Sequence, residues 1–239
     1  MPDKIIRASV SKRLRKMADK GRARLLQRFF KTGPGEYGYG DVFIGLRVPD
    51  VRKAARESSS LPLDEAVKLL RSHIHEERLA ALLIMIEKFK KGGPADKKAV
   101  YGCYLRHTRY INNWDLVDLS APNVVGAYLA DKNRDTLYRL ARSKLLWERR
   151  IAMVATHCYI RKGDFADGLA IARILLSDTE DLMHKAVGWM LREIGKRDKR
   201  ILEEFLRKYY IMIPRTSLRY AIERFPGRER KKYLKGDFK

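Results

Sequence analysis

From Pro49 to the C-terminus the apolar residues of this sequence follow the period of an α-helix, and the helical patterns themselves recur. LPLDEAVKLLRS, EERLAALLIMIEKF, LWERRIAMVATHCYI, DLMHKAVGWMLREIG and ILEEFLRKYY all place apolar residues at i, i+3 and i+4. A basic residue opens three of these apolar stretches, at Arg78, Arg150 and Lys185, so the steps are 72 and 35 positions. Half of the longer step falls at Asn113-Trp114-Asp115, and the next step lands near Arg219 inside SLRYAIERF. Two-helix units recurring at about 35 residues cannot each bury an apolar face alone, so they stack into an α-solenoid of HEAT-like repeats. The expected fold is all-α: a curved single domain with a basic concave face, along which the repeat-equivalent cations line up.

The N-terminal part is less regular. Residues 1–31 carry 11 Lys/Arg against 2 acids. Residues 1–11 are expected to form a basic, flexible arm whose deletion weakens polyanion binding without unfolding the chain, and 12–239 the folded domain. From Arg13 the positions Leu14, Met17, Leu25, Leu26, Phe29 and Phe30 suit helix, with a break near Gly21. TGPGEYGYGD (32–41) follows. Its glycines suit a phosphate cradle, but it lacks GK[ST] and no strand-like run precedes it, so a turn-rich connector is favoured. VFIGLRVP (42–49) is strand-like. Pro49 followed by DVRKAARE instead marks an extended lead into a helix.

Lys+Arg outnumber Asp+Glu by 52 to 29, a net charge of +23. A field of that strength gathers phosphates and points to a polyanion as partner. With 45% hydrophobic residues the chain is not disordered. Its longest apolar run, Leu79 to Ile86, is too short to span a bilayer, so no membrane association is expected. Cys103 and Cys158 are too far apart for a CxxC motif and too few for a disulfide scaffold, and read as buried thiols in a reducing cytoplasm. The N-terminus has no apolar core of a signal peptide. A bacterial cytosol or nucleoid location is expected, with organelle targeting left open by the basic, acid-poor start.

YINNWDLVDLSAP (110–122) holds the most unusual chemistry. On a helix Trp114 and Asp118 are i and i+4 and share a face. Capping by Asn112 or Asn113, with a carboxylate in the first turn, explains Asp115. It explains Asp118 less well, because that residue lies beyond the first turn. A carboxylate beside an indole, in a chain this basic, is a candidate site. Trp147 reads as core, and Arg150 as a candidate phosphate clamp. Trp189 reads as core or functional, and Gly188 beside it suggests close approach of another surface. The five histidines (His73, His75, His107, His157, His184) form no HExxH pattern, and no metal or cofactor is expected. No GxSxG, kinase or Rossmann motif occurs.

RFFKTGPGEYGYGDVFIGLRVPDVRK, NNWDLVD, LLWERRIAM and HKAVGWMLRE, in this order, resemble the AlkD-type DNA alkylation repair family, helical-repeat DNA glycosylases that release alkylated purines. The resemblance runs from about Gln27 to Lys235. It implies that Asp118 is the catalytic carboxylate, that Trp114 and Trp189 are its aromatic partners, and that Arg150 is the active-site arginine. Asn113 departs from relatives in which a second Trp precedes the motif. The implied DNA-binding set is Arg150, Lys185, Arg78, Arg47, Arg52 and Arg219. The implied partner is duplex DNA containing alkylated bases, bound by a monomer.

The residues suit that chemistry independently. A purine alkylated at N3 or N7 is cationic and leaves as a neutral base, so no strong general acid is required. What the transition state needs is an anion facing the growing oxocarbenium charge and aromatic faces that attract cations. The competing reading is a non-catalytic helical-repeat protein that binds damaged or branched DNA. An RNA-associated scaffold and a protein–protein adaptor follow behind it. Every nucleic-acid reading predicts duplex binding that weakens steeply with salt, with log K falling linearly in log salt between about 50 and 200 mM. Fluorescence anisotropy on two unrelated duplexes checks this. A flat salt response, or strong preference for one short sequence, contradicts it.

Overall fold

A computed structural model describes residues 6–237. Every regular element in it is a helix: α1 (Arg7–Lys16), α2 (Lys20–Phe29), α3 (Val48–Glu57), α4 (Leu63–Leu70), α5 (His75–Lys91), α6 (Pro94–Arg106), α7 (Trp114–Ala121), α8 (Asp135–Ala141), α9 (Leu146–Ala155), α10 (His157–Ile160), α11 (Ala166–Ile174), α12 (Asp181–Gly195), α13 (Lys199–Tyr209), α14 (Arg215–Ala221) and α15 (Gly227–Lys235). This is the all-α helical-repeat class expected. Among the described residues the β-type pairing is a single parallel bridge, Val42 to Ile74. The 42–47 stretch is therefore the extended lead into α3, with Pro49 in that helix's first turn. Among the described residues no helix is long and apolar enough to cross a membrane.

The repeat is visible in backbone geometry. The residues that precede α5, α9 and α12 are Ile74, Leu145 and Glu180, with φ/ψ of −83/121°, −83/121° and −84/122°. Arg150, Lys185 and Arg219 are each the fifth residue of their helix, and Arg78 is the fourth of its own. The sequence spacing thus marks a structurally equivalent position for the first three, and Arg78 is one residue out of register.

The chain divides into two compact units, Met1–Leu116 and Val117–Lys239, with the boundary inside α7. In the first, α5 is the central helix. Thirteen of its residues, His75 to Ile86 and Phe89, are buried, and α1, α3, α4 and α6 pack around it. In the second, α12 is central, with α9, α11, α13 and α14 against it.

Two expectations about the N-terminus meet a different structure. Arg7–Ser11 form the start of α1, and Val10 and Leu14, one turn apart, are buried against the first unit. Residues 1–5 of the expected arm lie outside the described residues. The helix break comes at Met17–Asp19 rather than at Gly21, because the Asp19 side chain caps α2 by accepting from the Arg22 amide at 2.8 Å. Met17, Leu25 and Phe29 are exposed.

Two glycines are required by close approach. Gly45 has φ +85°, and a Cβ there would stand 2.1 Å from the Asp19 carbonyl oxygen. Gly188 lies where α14 crosses α12, and a Cβ there would meet Ser217 O and Tyr220 Cβ at 2.5 Å. The close surface inferred beside Trp189 is α14.

Leu14→Ala is expected to cost about 2–5 kcal/mol by urea denaturation, as for other buried leucines. Deletion of residues 1–11 removes Val10 and is expected to lower Tm as well. An unchanged midpoint in both would show that α1 adds nothing to the core. Gly188→Ala separates packing from propensity. Helix propensity alone favours Ala by about 1 kcal/mol, whereas overpacking against α14 costs about 1–3 kcal/mol. A net loss of stability is expected, and a net gain would contradict the close approach.

Candidate functional site

The TGPGEYGYGD loop ends by burying a carboxylate. Asp41 is 4% exposed and gathers groups from two other segments. His75 Nδ1 lies 3.0 Å from its Oδ2, and Arg78 Nη2 lies 2.6 Å from its Oδ1. The Asn112 and Asn113 amides donate to it at 3.3 and 3.4 Å. The other ring nitrogen of His75, Nε2, lies 2.8 Å from Asp115 Oδ2. Next to this cluster, Glu76 accepts from the backbone amides of Ile44, Gly45 and Leu46 at 2.8–3.2 Å, a nest filled by the protein's own carboxylate. The glycine-rich loop is the connector expected, and it seats Asp41.

Burial by itself would push the His75 imidazole down. The Asp115 charge, with hydrogen bonds from Asp115 and Asp41, outweighs it and raises the pKa above the ordinary value. For Asp41, burial would raise the carboxyl, but the His75 hydrogen bond and the Arg78 charge hold it below the usual range. Asp115 is therefore more than a first-turn carboxylate. Its place in the first turn is the one expected, with Oδ1 accepting from the Leu116 amide at 2.9 Å, and Oδ2 adds a second role by facing His75. Asn113 Oδ1 accepts from the Trp114 amide at 2.8 Å.

Trp114 is half-buried at the start of α7. Its indole stacks on Phe30 at 5.2 Å and 19°, meets the exposed Phe29 edge-on at 6.1 Å, and donates from Nε1 to the Tyr37 hydroxyl at 3.3 Å. Phe30 stacks on Phe43 at 4.8 Å, and Phe43 stacks on the His75 ring at 4.3 Å.

In the second unit Asp118 and Arg150 come together. Arg150 Nε and Nη2 donate to the two carboxylate oxygens of Asp118, each at 2.8 Å, and Nη1 donates to the Leu182 carbonyl at 2.5 Å. Asp118 keeps 19% of its side chain exposed and Arg150 6%. The arginine is thus first a fork that orients Asp118. Three of its five N–H groups take part in these bonds.

On α12, one helix turn separates Lys185 from Trp189. Lys185 Nζ pairs with Asp181 at 2.8 Å. The Trp189 ring lies 5.7 Å from that of His157. Burial pushes the His157 pKa down, and the Arg161 charge pushes it further. Trp147 is half-buried rather than core.

Of the other expected cations, Arg52 and Arg219 are exposed. Arg47 is exposed and pairs with Asp50 at 3.0 Å. Arg78 is corrected. It is 4% exposed, faces Asp41 and donates to the Ser72 carbonyl, so it serves the buried cluster rather than a phosphate. Sequence reasoning missed Asp41 and His75. The available signal was an aspartate closing a glycine-rich loop that nothing else explained.

A family model of DNA alkylation repair enzymes matches residues 10–225. No curated protein sequence matches the chain at a significant level. Among solved structures, the chain is similar to a predicted DNA alkylation repair enzyme from Enterococcus faecalis. The TM-score is 0.68 and the identity 16%, over 88% of this chain and 97% of that one. At that identity the likeness shows shared architecture. The family match spans nearly the whole chain, and the protein belongs to the DNA alkylation repair enzyme family.

Proposed function

We propose that the protein is a monofunctional DNA N-glycosylase that hydrolyses the glycosidic bond of N3- and N7-alkylated purines in duplex DNA. The observation that carries this reading is the Asp118 carboxylate, gripped on both oxygens by Arg150 yet still partly open to solvent. A bidentate guanidinium keeps the carboxylate anionic and aimed, which is what a preorganised anion requires.

In the proposed reaction the bond between C1′ and N9 of the alkylated purine breaks, and its electron pair neutralises the cationic base. Asp118 faces the positive charge that develops on the sugar. Water supplies the oxygen to C1′, and its proton passes to Asp118 or to solvent. Trp114 and Trp189 offer indole faces to the cationic base and sugar. Arg150, with 6% of its side chain exposed and bonded to Asp118 and the Leu182 carbonyl, acts by holding the carboxylate in place. Arg47, Arg52, Lys185 and Arg219 supply backbone contacts that position the duplex without reading its sequence. The enzyme acts as a monomer, in the bacterial cytosol or nucleoid.

The second reading, a non-catalytic binder of damaged DNA, draws on the same pair, because Arg150 balances the charge of Asp118. Asp118→Asn separates the two. Asn keeps one of the two oxygens that Arg150 meets, so stability is expected to fall while the folded variant, checked by circular dichroism, keeps its DNA affinity. Single-turnover release of N7-methylguanine is expected to fall by about 10²–10³. Excision at the wild-type rate in this variant would remove Asp118 from the reaction.

A further inference from the structure

His75 is not among the residues that the proposed chemistry uses, yet it is 1% exposed and touches two carboxylates. Its Nδ1 faces Asp41 at 3.0 Å and its Nε2 faces Asp115 at 2.8 Å. An ionised carboxylate only accepts, so both ring nitrogens must donate, and only the imidazolium does that. The charges then balance: Asp41 and Asp115 carry two negative charges, His75 and Arg78 two positive ones. Asp41 comes from the 32–47 loop, Asp115 from α7, and Arg78 from α5, the helix that carries His75 itself. The neighbouring Glu76 turns to the amides of 44–46 instead.

Both routes out of this ring end at Trp114. One is a stack of rings, His75 on Phe43, Phe43 on Phe30 and Phe30 on Trp114, with interplanar angles of 22°, 17° and 19°. The other is the backbone. Asn113, which donates to Asp41, accepts from the Trp114 amide, and Asp115, which faces His75, is the next residue.

We propose that His75 is the positioning residue for Trp114: clamped as a cation between Asp41 and Asp115, it sets where the indole stands. The catalytic consequence rests on the reading of Trp114 as part of the glycosylase site; the placement of the indole does not. The clamp is closed while the imidazole is protonated. Because burial is outweighed by the two carboxylates, the folded-state value is raised. The clamp is therefore complete below the ordinary imidazole value and opens as pH rises through the raised one.

The test is 15N NMR of the wild-type protein, with the ring signals of His75 assigned by their loss in His75→Gln and the Trp114 indole N–H by its loss in Trp114→Phe. Both His75 nitrogens are expected to be protonated at pH 7, and the Trp114 indole signal to move with the same alkaline midpoint as the ring. In Asp115→Asn, which keeps the size of the side chain, that shared transition is expected to disappear. A neutral His75 at pH 7, or a Trp114 signal indifferent to its titration, overturns the proposal.

The second arm is single-turnover excision. His75→Gln is expected to lower the rate about 10- to 100-fold, the cost of a small misplacement, with Kd for DNA unchanged and the alkaline limb of the pH profile altered. If His75→Gln does not fold, Asp115→Asn carries the same comparison. An unchanged rate and profile overturn the catalytic consequence. If the wild-type protein releases no base at all, the glycosylase reading fails, while the NMR result still decides the positioning role.

Discussion

The first unit is organised by the need to partner charges taken out of water. Asp41, His75 and Arg78 are each almost wholly buried, and Asp115 largely so. Removing one member of such a set leaves its partner uncompensated, at about 3–5 kcal/mol. That requirement makes the glycine-rich loop, the start of α5 and the Asn112–Asp115 segment converge at one place. The extended lead that follows the loop runs close to the start of α2, where Gly45 adopts φ +85° and lies against the Asp19 carbonyl. Trp114 inherits its position from this convergence rather than from its own contacts alone.

In the second unit, arginines bind helix to helix. Arg150 joins α9 to Asp118 and to the Leu182 carbonyl on α12. Beside it, Arg149 forms a matching fork to Asp178, at 2.5 and 3.2 Å. Arg134 pairs with Asp164 and Asp167 and lies 3.8 Å over the Tyr159 ring. Asp167 also accepts from Tyr138, and burial with that carboxylate raises the phenol to about 12. In a chain with net charge +23, these internal pairs matter to function as well as to packing. They withdraw selected arginines from the surface and leave others, such as Arg52 and Arg219, free to face a polyanion.

The helices were legible in sequence because burial of a stripe imposes the 3.6-residue period, which α12 and α13 show, whereas α5 is buried all round from His75 to Ile86. The recurrence of Arg150, Lys185 and Arg219 at the fifth residue of their helices was legible as well, and Arg78 falls one residue short of it. What each of these cations does was not, because periodicity gives a position on a helix and not the partner across from it. Arg78 meets a carboxylate 37 residues upstream, and Arg150 one 32 residues upstream. The packing of α1 was hidden for a related reason. Two apolar residues, Val10 and Leu14, hold it down among seven exposed ones. His75 was hidden because its role comes from two carboxylates distant in sequence.

Base release by the wild-type protein tests the account most directly. Duplex DNA carrying a single N7-methylguanine is incubated with excess protein, and free base is measured by mass spectrometry alongside abasic sites in the strand. The account predicts both products in equal amounts, formed faster than spontaneous depurination. Tight binding of the damaged duplex with no base released above that background would contradict it.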